Sequence, residues 1–102
     1  MKLLYYAHRF RGPAPATQRQ NLLEAQRRFA DTAQWIAGTL WAPWLILAEH
    51  GVDESLAWEV IEAAIAASDG IVVDLDGGEW TDGLRRERDI AEKHGKEVVV
   101  IP

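Results

Sequence analysis

The sequence contains no cysteine, so disulfide bridges and thiolate metal sites are excluded, which is typical of a protein of the reducing cytoplasm. It also lacks an apolar run long enough to span a membrane, and we expect no membrane segment. With a net charge of −5 we expect no binding to nucleic-acid polymers, which usually requires a basic surface. No linker, repeat or low-complexity segment interrupts the 102 residues, and residues 1–102 are predicted to form one domain.

Short apolar segments alternate with amphipathic ones along the chain. The predicted strands cover residues 3–7, 39–42, 71–73 and 98–101. Thr17 and Gln20 have capping-box spacing before a helix that should end at Gly38, and Asp53 is a candidate N-cap of a second helix. A third helix is predicted over about residues 83–94, after a loop over 75–83.

Strands with little polar alternation, separated by helices, indicate a parallel sheet that is covered on both faces. We therefore predict an α/β three-layer sandwich with about four strands in the flavodoxin-like or Rossmann-like order 2-1-3-4. Sheets of this type bind ligands beyond the carboxyl ends of their strands. That edge should collect residues 6–12, 41–44 and 74–87, where we look for chemistry.

Asp74-Leu75-Asp76-Gly77 follows a hydrophobic strand and mimics the motif of haloacid-dehalogenase-like phosphatases. That chemistry needs Mg²⁺ and further groups from later strands, and its motif normally lies on the first strand, so we interpret this match as accidental. A calcium loop does not fit either, because Gly77 falls at position four and Arg85 stands where the bidentate glutamate is required. We predict no metal site and no cofactor.

Thr81 or Asp82 should cap the helix that carries Glu87, and Glu87 would lie in its first or second turn, near the ligand edge. Glutamate near a helix start commonly compensates the helix dipole on a solvated face. The residue types alone favour that interpretation, since Glu87 is surrounded in sequence by Arg85, Arg86 and Arg88.

The segment from Tyr6 to Gly12 places cations and a glycine directly after the first strand. Arg11 and Gly12 suit a phosphate or carboxylate, because arginine offers bidentate donors and glycine lets backbone N–H groups approach. A solvated basic loop is an equal alternative, and His8 alone is more often a loop hydrogen-bonding residue than a catalyst. Five tryptophans favour core packing and a dimer interface for Trp41 and Trp44, whereas Trp80 is the better candidate for ligand contact.

Together, several segments resemble the nucleoside 2-deoxyribosyltransferase-like superfamily, in its short branch. They are Leu4-Tyr5-Tyr6-Ala7 with Arg11-Gly12, Asn21-Leu22-Leu23-Glu24-Ala25, Ala42-Pro43-Trp44, Ser68-Asp69-Gly70-Ile71-Val72-Val73, Asp76-Gly77, and Asp82-Gly83-Leu84-Arg85-Arg86-Glu87 with Ala91 and Gly95-Lys96. The resemblance implies a flavodoxin-like fold, a homodimer and Glu87 as a nucleophile that attacks the anomeric carbon and expels the base. Arg11-Gly12 resembles the element that holds phosphate in the branch acting on deoxynucleoside 5′-monophosphates.

We therefore expect a nucleoside or nucleoside 5′-monophosphate N-glycosidase or deoxyribosyltransferase-like protein. Glu87 and Asp82 are the candidate catalytic residues, and the candidate ligand-binding residues are Tyr6, His8, Arg11, Gly12, Asp76, Gly77, Trp80 and Gly83. Ile61 stands where family transferases usually carry an aspartate, which favours a non-catalytic nucleotide-binding or sensing module as the alternative. A dimeric interaction protein without a small ligand is a third hypothesis, drawn from the tryptophan content.

Overall fold

The computed structural model describes residues 2–102. The sheet has four strands in the order β2-β1-β3-β4, namely β1 (Leu3–His8), β2 (Thr39–Trp41), β3 (Gly70–Asp74) and β4 (Glu97–Ile101). All three neighbouring pairs are parallel, and β1 is in register with β3 from Leu4 opposite Gly70 to His8 opposite Asp74. The predicted α/β class and the order 2-1-3-4 are confirmed. The loops after β1 and β3 therefore leave the sheet side by side.

Four helices connect and cover the strands: α1 (Pro15–Ala33), α2 (Pro43–Glu49), α3 (Glu54–Ala67) and α4 (Asp82–Lys93). The N-cap predicted for α3 is confirmed, because the Asp53 side chain accepts a hydrogen bond of 3.1 Å from the Ser55 N–H. For α4 the cap is Thr81, whose hydroxyl accepts a hydrogen bond of 3.1 Å from the Leu84 N–H.

The bounds predicted for the first helix were wrong. The first helix begins at Pro15 rather than behind Thr17, since proline has the φ angle of a first helical residue and needs no N–H partner there. It ends at Ala33, before Gly38. Helix α2 was not predicted: it begins at Pro43, and its seven residues are too short to show a clear hydrophobic period.

Alternation along β1 sends successive side chains to the two faces of the sheet. Tyr5 and Ala7 belong to a buried cluster with residues of α2, α3 and α4. Leu4 and Tyr6 belong to a second cluster, which Phe29 of α1 helps to cover. The sheet is thus the middle of three layers. Within residues 2–102, no helix combines the length and hydropathy of a bilayer-spanning segment.

Candidate active site at the carboxyl edge of the sheet

A cavity of about 340 Å³ lies beside the carboxyl end of β1, between the β1–α1 loop and helices α2, α3 and α4. Polar groups line it from the β1–α1 loop and from the start of α4, and apolar side chains line it from α2 and α3. Of the predicted site residues, the cavity brings together His8, Arg11, Asp82, Gly83 and Glu87. The other predicted residues, Tyr6, Gly12, Asp76, Gly77 and Trp80, are not among those that line it.

Glu87 lies in the second turn of α4, lines the cavity and keeps only 7% of its surface exposed. The interpretation of Glu87 as a solvated, dipole-compensating residue is therefore wrong, whereas neighbouring Arg85 and Arg86 are exposed. Burial raises the pKa of Glu87 to about 8, and the nearby hydroxyl of Tyr5, whose dipole favours the ionised carboxylate, partly opposes that rise. A buried carboxyl group with a raised pKa on a cavity wall is typical of functional sites.

Tyr5 is a polar residue of this region that was not among the predicted site residues. It is fully buried on the α4 side of the sheet, and its hydroxyl makes no hydrogen bond within the described residues. Burial raises the pKa of Tyr5, and the charge of Glu87 raises it further. The sequence does carry a signal for this face, because the alternation of side chains along a strand places Tyr5 on the same face as Ala7.

Tyr6 points to the opposite side of the sheet, where its hydroxyl donates a hydrogen bond of 2.7 Å to Oδ2 of Asp74. Both oxygens of Asp74 also accept hydrogen bonds of 3.0 Å from the Arg28 guanidinium. Burial raises the pKa of Asp74, but the hydrogen bonds from Arg28 and Tyr6 outweigh it and hold that pKa below its usual value. Asp74 is therefore an anchored structural carboxylate, which argues against phosphatase-type chemistry at this motif.

His8 and Asp76 extend this network toward the loops. The Nε2 atom of His8 lies 3.1 Å from Oδ2 of Asp76, and its Nδ1 atom lies 2.8 Å from the Arg9 carbonyl oxygen. The imidazole stacks on Tyr6, with its side chain fully buried, so it faces away from Tyr5. Asp76 and Gly77 have φ angles of 48° and 71° and form the turn after β3. The network joins the β1–α1 loop to the β3–α4 loop.

Arg11 reaches the cavity mouth, where its guanidinium lies 3.3 Å from the Glu54 carboxylate at the start of α3. Gly12 serves packing, because a Cβ atom there would collide with the side chain of Thr17. Asp82 lines the cavity with an exposed side chain, and Arg85 pairs with it at 3.2 Å.

Trp80 is half-buried and packs on the core, and the Arg88 guanidinium lies 5.1 Å from the centre of its ring. Phe10, Trp44 and Trp58 are the aromatic residues that line the cavity. Trp44 was predicted to serve the core or an interface, and it is indeed buried, with its ring tilted against Phe10 at 6.3 Å. Among the described residues, no group of three or more His, Asp or Glu side chains is placed to hold a metal ion.

No protein-family model matches this sequence, and no curated protein sequence matches it either. Among solved structures, the chain is similar to a 2-desoxiribosyltransferase from Leishmania mexicana, with a TM-score of 0.66 and 17% sequence identity. The similarity covers 99% of this chain but 64% of that protein, so the chain spans less than two thirds of its length. At this identity the likeness shows a shared fold: a parallel α/β sheet with the order 2-1-3-4.

Proposed function

We propose that this protein is an N-glycosidase or 2-deoxyribosyltransferase-like enzyme that acts on nucleosides or nucleoside 5′-monophosphates. The observation that carries the proposal is Glu87, a buried carboxyl group on the wall of a cavity that has aromatic side chains and an arginine nearby. The fold shared with a 2-desoxiribosyltransferase supports it.

In the proposed reaction, a carboxylate oxygen of Glu87 attacks the anomeric carbon of the sugar while the bond from that carbon to the base nitrogen breaks. The bonding electron pair leaves with the base, which takes up a proton. The sugar is then held as an ester on Glu87. Water or a second base attacks the same carbon, and the carboxylate leaves again, as in retaining glycosidases.

The environment of Glu87 fits this role. With a pKa of about 8, the carboxyl group is mostly protonated in the empty cavity at neutral pH. The positive charge that develops on the sugar ring in the transition state would stabilise the ionised form inside a site that excludes water. Tyr5 lies next to Glu87 and would donate a hydrogen bond that favours the carboxylate.

We assign the remaining roles by position. Asp82 lines the cavity with an exposed carboxylate and would orient the substrate or assist departure of the base. Arg11 would bind the 5′-phosphate, while Gly12 would shape the loop that carries it. The aromatic contacts that we first expected from Tyr6 and Trp80 fit better to Phe10, Trp44 and Trp58, which line the cavity.

The experiment is to incubate the protein with 2′-deoxynucleosides and their 5′-monophosphates and to measure free base by chromatography. We expect release that falls by about a thousand-fold or more in Glu87→Ala, because the nucleophile is lost. Glu92→Ala removes an exposed glutamate from the same helix and should leave release unchanged. The proposal fails if no substrate yields free base, or if Glu87→Ala releases base as fast as the parent protein.

A non-catalytic nucleotide-binding module is the second candidate, and Ile61 favours it. This side chain lines the cavity at a position where family transferases usually carry a carboxylate, and it is buried. Calorimetry that detects nucleotide binding, together with no base release over hours, would establish the module in place of the enzyme.

We also propose that two copies of the chain form a homodimer. Trp35 and Ile46 expose 59% and 63% of their surfaces, and an interface between two copies would remove this apolar surface from water. Sedimentation equilibrium tests this proposal, and a mass of about one chain at micromolar concentration would contradict it.

A further inference from the structure

The cavity has a polar side and an apolar side, and different elements supply them. The polar groups, including Arg11, Asp82 and Glu87, come from the β1–α1 loop and the start of α4. The apolar side comes mainly from α2, α3 and the connection between them, and its side chains include Phe10, Trp44, Leu47, Val52, Trp58 and Ile61. A bound N-glycoside would direct its sugar toward the polar side and its aglycone toward the apolar side.

The apolar side offers few hydrogen-bonding groups to a ligand. The indole N–H of Trp44 is already used, because it donates a hydrogen bond of 2.7 Å to the carbonyl oxygen of Tyr6. Of the six apolar-side residues named above, only Trp44 and Trp58 carry a side-chain hydrogen-bond donor, and that of Trp44 is used in this bond. The Arg86 guanidinium lies 4.0 Å from the centre of the Trp58 ring, which holds that ring in place.

We propose that this apolar side is an aglycone subsite that selects two-ring aromatic heterocycles by shape and stacking rather than by hydrogen bonds to their edges. The preferred substrates would then be N-glycosides with weakly polar aromatic aglycones. This inference rests on the proposed function, because it assumes that the ligand is a glycoside whose sugar faces Glu87. It goes further by naming the chemical class of the leaving group.

The physical reason is the cost of burying unpaired polar groups. A base with many ring nitrogens and an amino group loses its hydrogen bonds to water when it enters the subsite. The apolar side offers few hydrogen-bonding groups to replace them. An aromatic frame of the same size without those groups gains the same stacking and apolar contact without that loss. Selection by hydrogen bonding would require buried polar side chains that this wall lacks.

The test compares benzimidazole with adenine, two free heterocycles that share a fused two-ring frame. Binding to the unmodified protein is followed by the NMR signals of the tryptophan indole N–H groups, and Trp58→Phe identifies the Trp58 signal. We expect benzimidazole to bind at least about ten-fold more tightly than adenine and to shift the Trp58 signal. Equal or tighter binding of adenine, or no binding by either heterocycle, would overturn the inference.

A pair of matched substitutions locates the effect. Leu47→Asn places an amide on the apolar side, whereas Leu56→Asn makes the same change at a residue that is exposed and outside the cavity lining. We expect the preference for benzimidazole to fall several-fold in Leu47→Asn and to stay unchanged in Leu56→Asn. If Leu47→Asn does not fold, Ala48→Ser introduces a hydroxyl at the next lining position for the same comparison. An unchanged preference in the folded lining variant would contradict the inference.

The outcomes separate this inference from the proposed function, because binding of free heterocycles needs no turnover. If the affinities follow the expected order but no glycoside is cleaved, the subsite stands and the enzymatic proposal fails. If base is released but adenine binds as tightly as benzimidazole, the enzymatic proposal stands and the aglycone preference fails.

Discussion

Tyr5 and Glu87 place two buried oxygen atoms, the phenol oxygen and Oε2 of the carboxyl group, on the same side of the sheet, and neither makes a hydrogen bond within residues 2–102. Buried polar atoms are nearly always paired, because an unpaired one costs about 1–3 kcal/mol. Catalytic and ligand-binding groups are among the recognised exceptions. The pair therefore supports a ligand-directed function for Glu87.

Replacement of Tyr5 by phenylalanine tests its influence on Glu87. Tyr5 lowers the pKa of Glu87, so Tyr5→Phe should raise that pKa further and leave a smaller fraction ionised at pH 7. We expect kcat/KM at pH 7 to fall about ten-fold per unit of pKa change and to recover as the pH is raised. The free energy of unfolding should change by less than about 1 kcal/mol, because the Tyr5 hydroxyl makes no hydrogen bond within the described residues.

Tyr6→Phe is the matched control, since it removes the same hydroxyl from the next residue. It breaks the bond to the buried Asp74 carboxylate, so the expected cost is about 1.5–3 kcal/mol of unfolding free energy. The pH dependence of kcat/KM should be the same as in the parent protein. A shifted profile in Tyr6→Phe, or none in Tyr5→Phe, would show that the two tyrosines have been assigned to the wrong roles.

The pH dependence of activity distinguishes a nucleophile from a general acid. A nucleophilic Glu87 must be ionised, and burial raises its pKa to about 8 in the free protein. We predict that kcat/KM rises with pH up to about 8 and then levels off. Activity that declines with rising pH through this range would instead assign Glu87 the role of a proton donor.

The free energy of unfolding should also depend on the ionisation of Glu87, but it should fall as the pH rises, whereas activity increases. The pKa of Glu87 is raised from 4.5 to about 8 on folding, so its contribution is fully present below pH 4.5 and is lost as the pH rises to 8. Glu87→Gln cannot ionise. We therefore expect chemical denaturation to show that the free energy of unfolding of this variant increases, relative to that of the parent protein, by a few kcal/mol between pH 4.5 and 8. A stability difference that does not vary with pH would contradict the raised pKa.

Arg11 should strengthen the binding of deoxynucleoside 5′-monophosphates more than the binding of nucleosides. Its guanidinium pairs with Glu54 at 3.3 Å on an exposed part of the cavity mouth, a contact worth at most about 1 kcal/mol that a phosphate could displace. We predict that Arg11→Gln weakens binding of a deoxynucleoside 5′-monophosphate about ten-fold and changes nucleoside binding less than two-fold. Calorimetry measures both affinities. At high salt, screening of charges should reduce the difference in monophosphate affinity between Arg11→Gln and the parent protein.

Arg19→Gln, which removes an exposed arginine that does not line the cavity, is the control for net charge. If Arg19→Gln weakens phosphate binding as much as Arg11→Gln does, the effect is one of overall charge. A specific role of Arg11 would then be excluded.

The strands and three of the four helices could be predicted because their signals are local, although the bounds of α1 were misplaced. Apolar runs mark β1 and β3, and Asp53 and Thr81 cap α3 and α4 through their own side chains. The short helix α2 could not be predicted in the same way, because seven residues after Pro43 show too little of a helical period.

The faces of the site were harder to predict than its elements. Tyr5 and Tyr6 are chemically equivalent in the sequence, and only the packing of α1 against one face and of α4 against the other separates them. For Glu87 a signal was present: Leu84, Glu87 and Ala91 have helical spacing and are the three buried residues of α4. The neighbouring arginines concealed it, because they made the segment resemble a solvated face.

The most direct measurement is the mass of the protein after reaction with a 2′-deoxy-2′-fluoronucleoside. Fluorine beside the anomeric carbon destabilises the cationic transition state, so an ester on the nucleophile should accumulate. We predict that the protein gains the mass of one fluorinated sugar, and that peptide mapping locates it on Glu87. Release of base without any adduct, or an adduct on another residue, would contradict it.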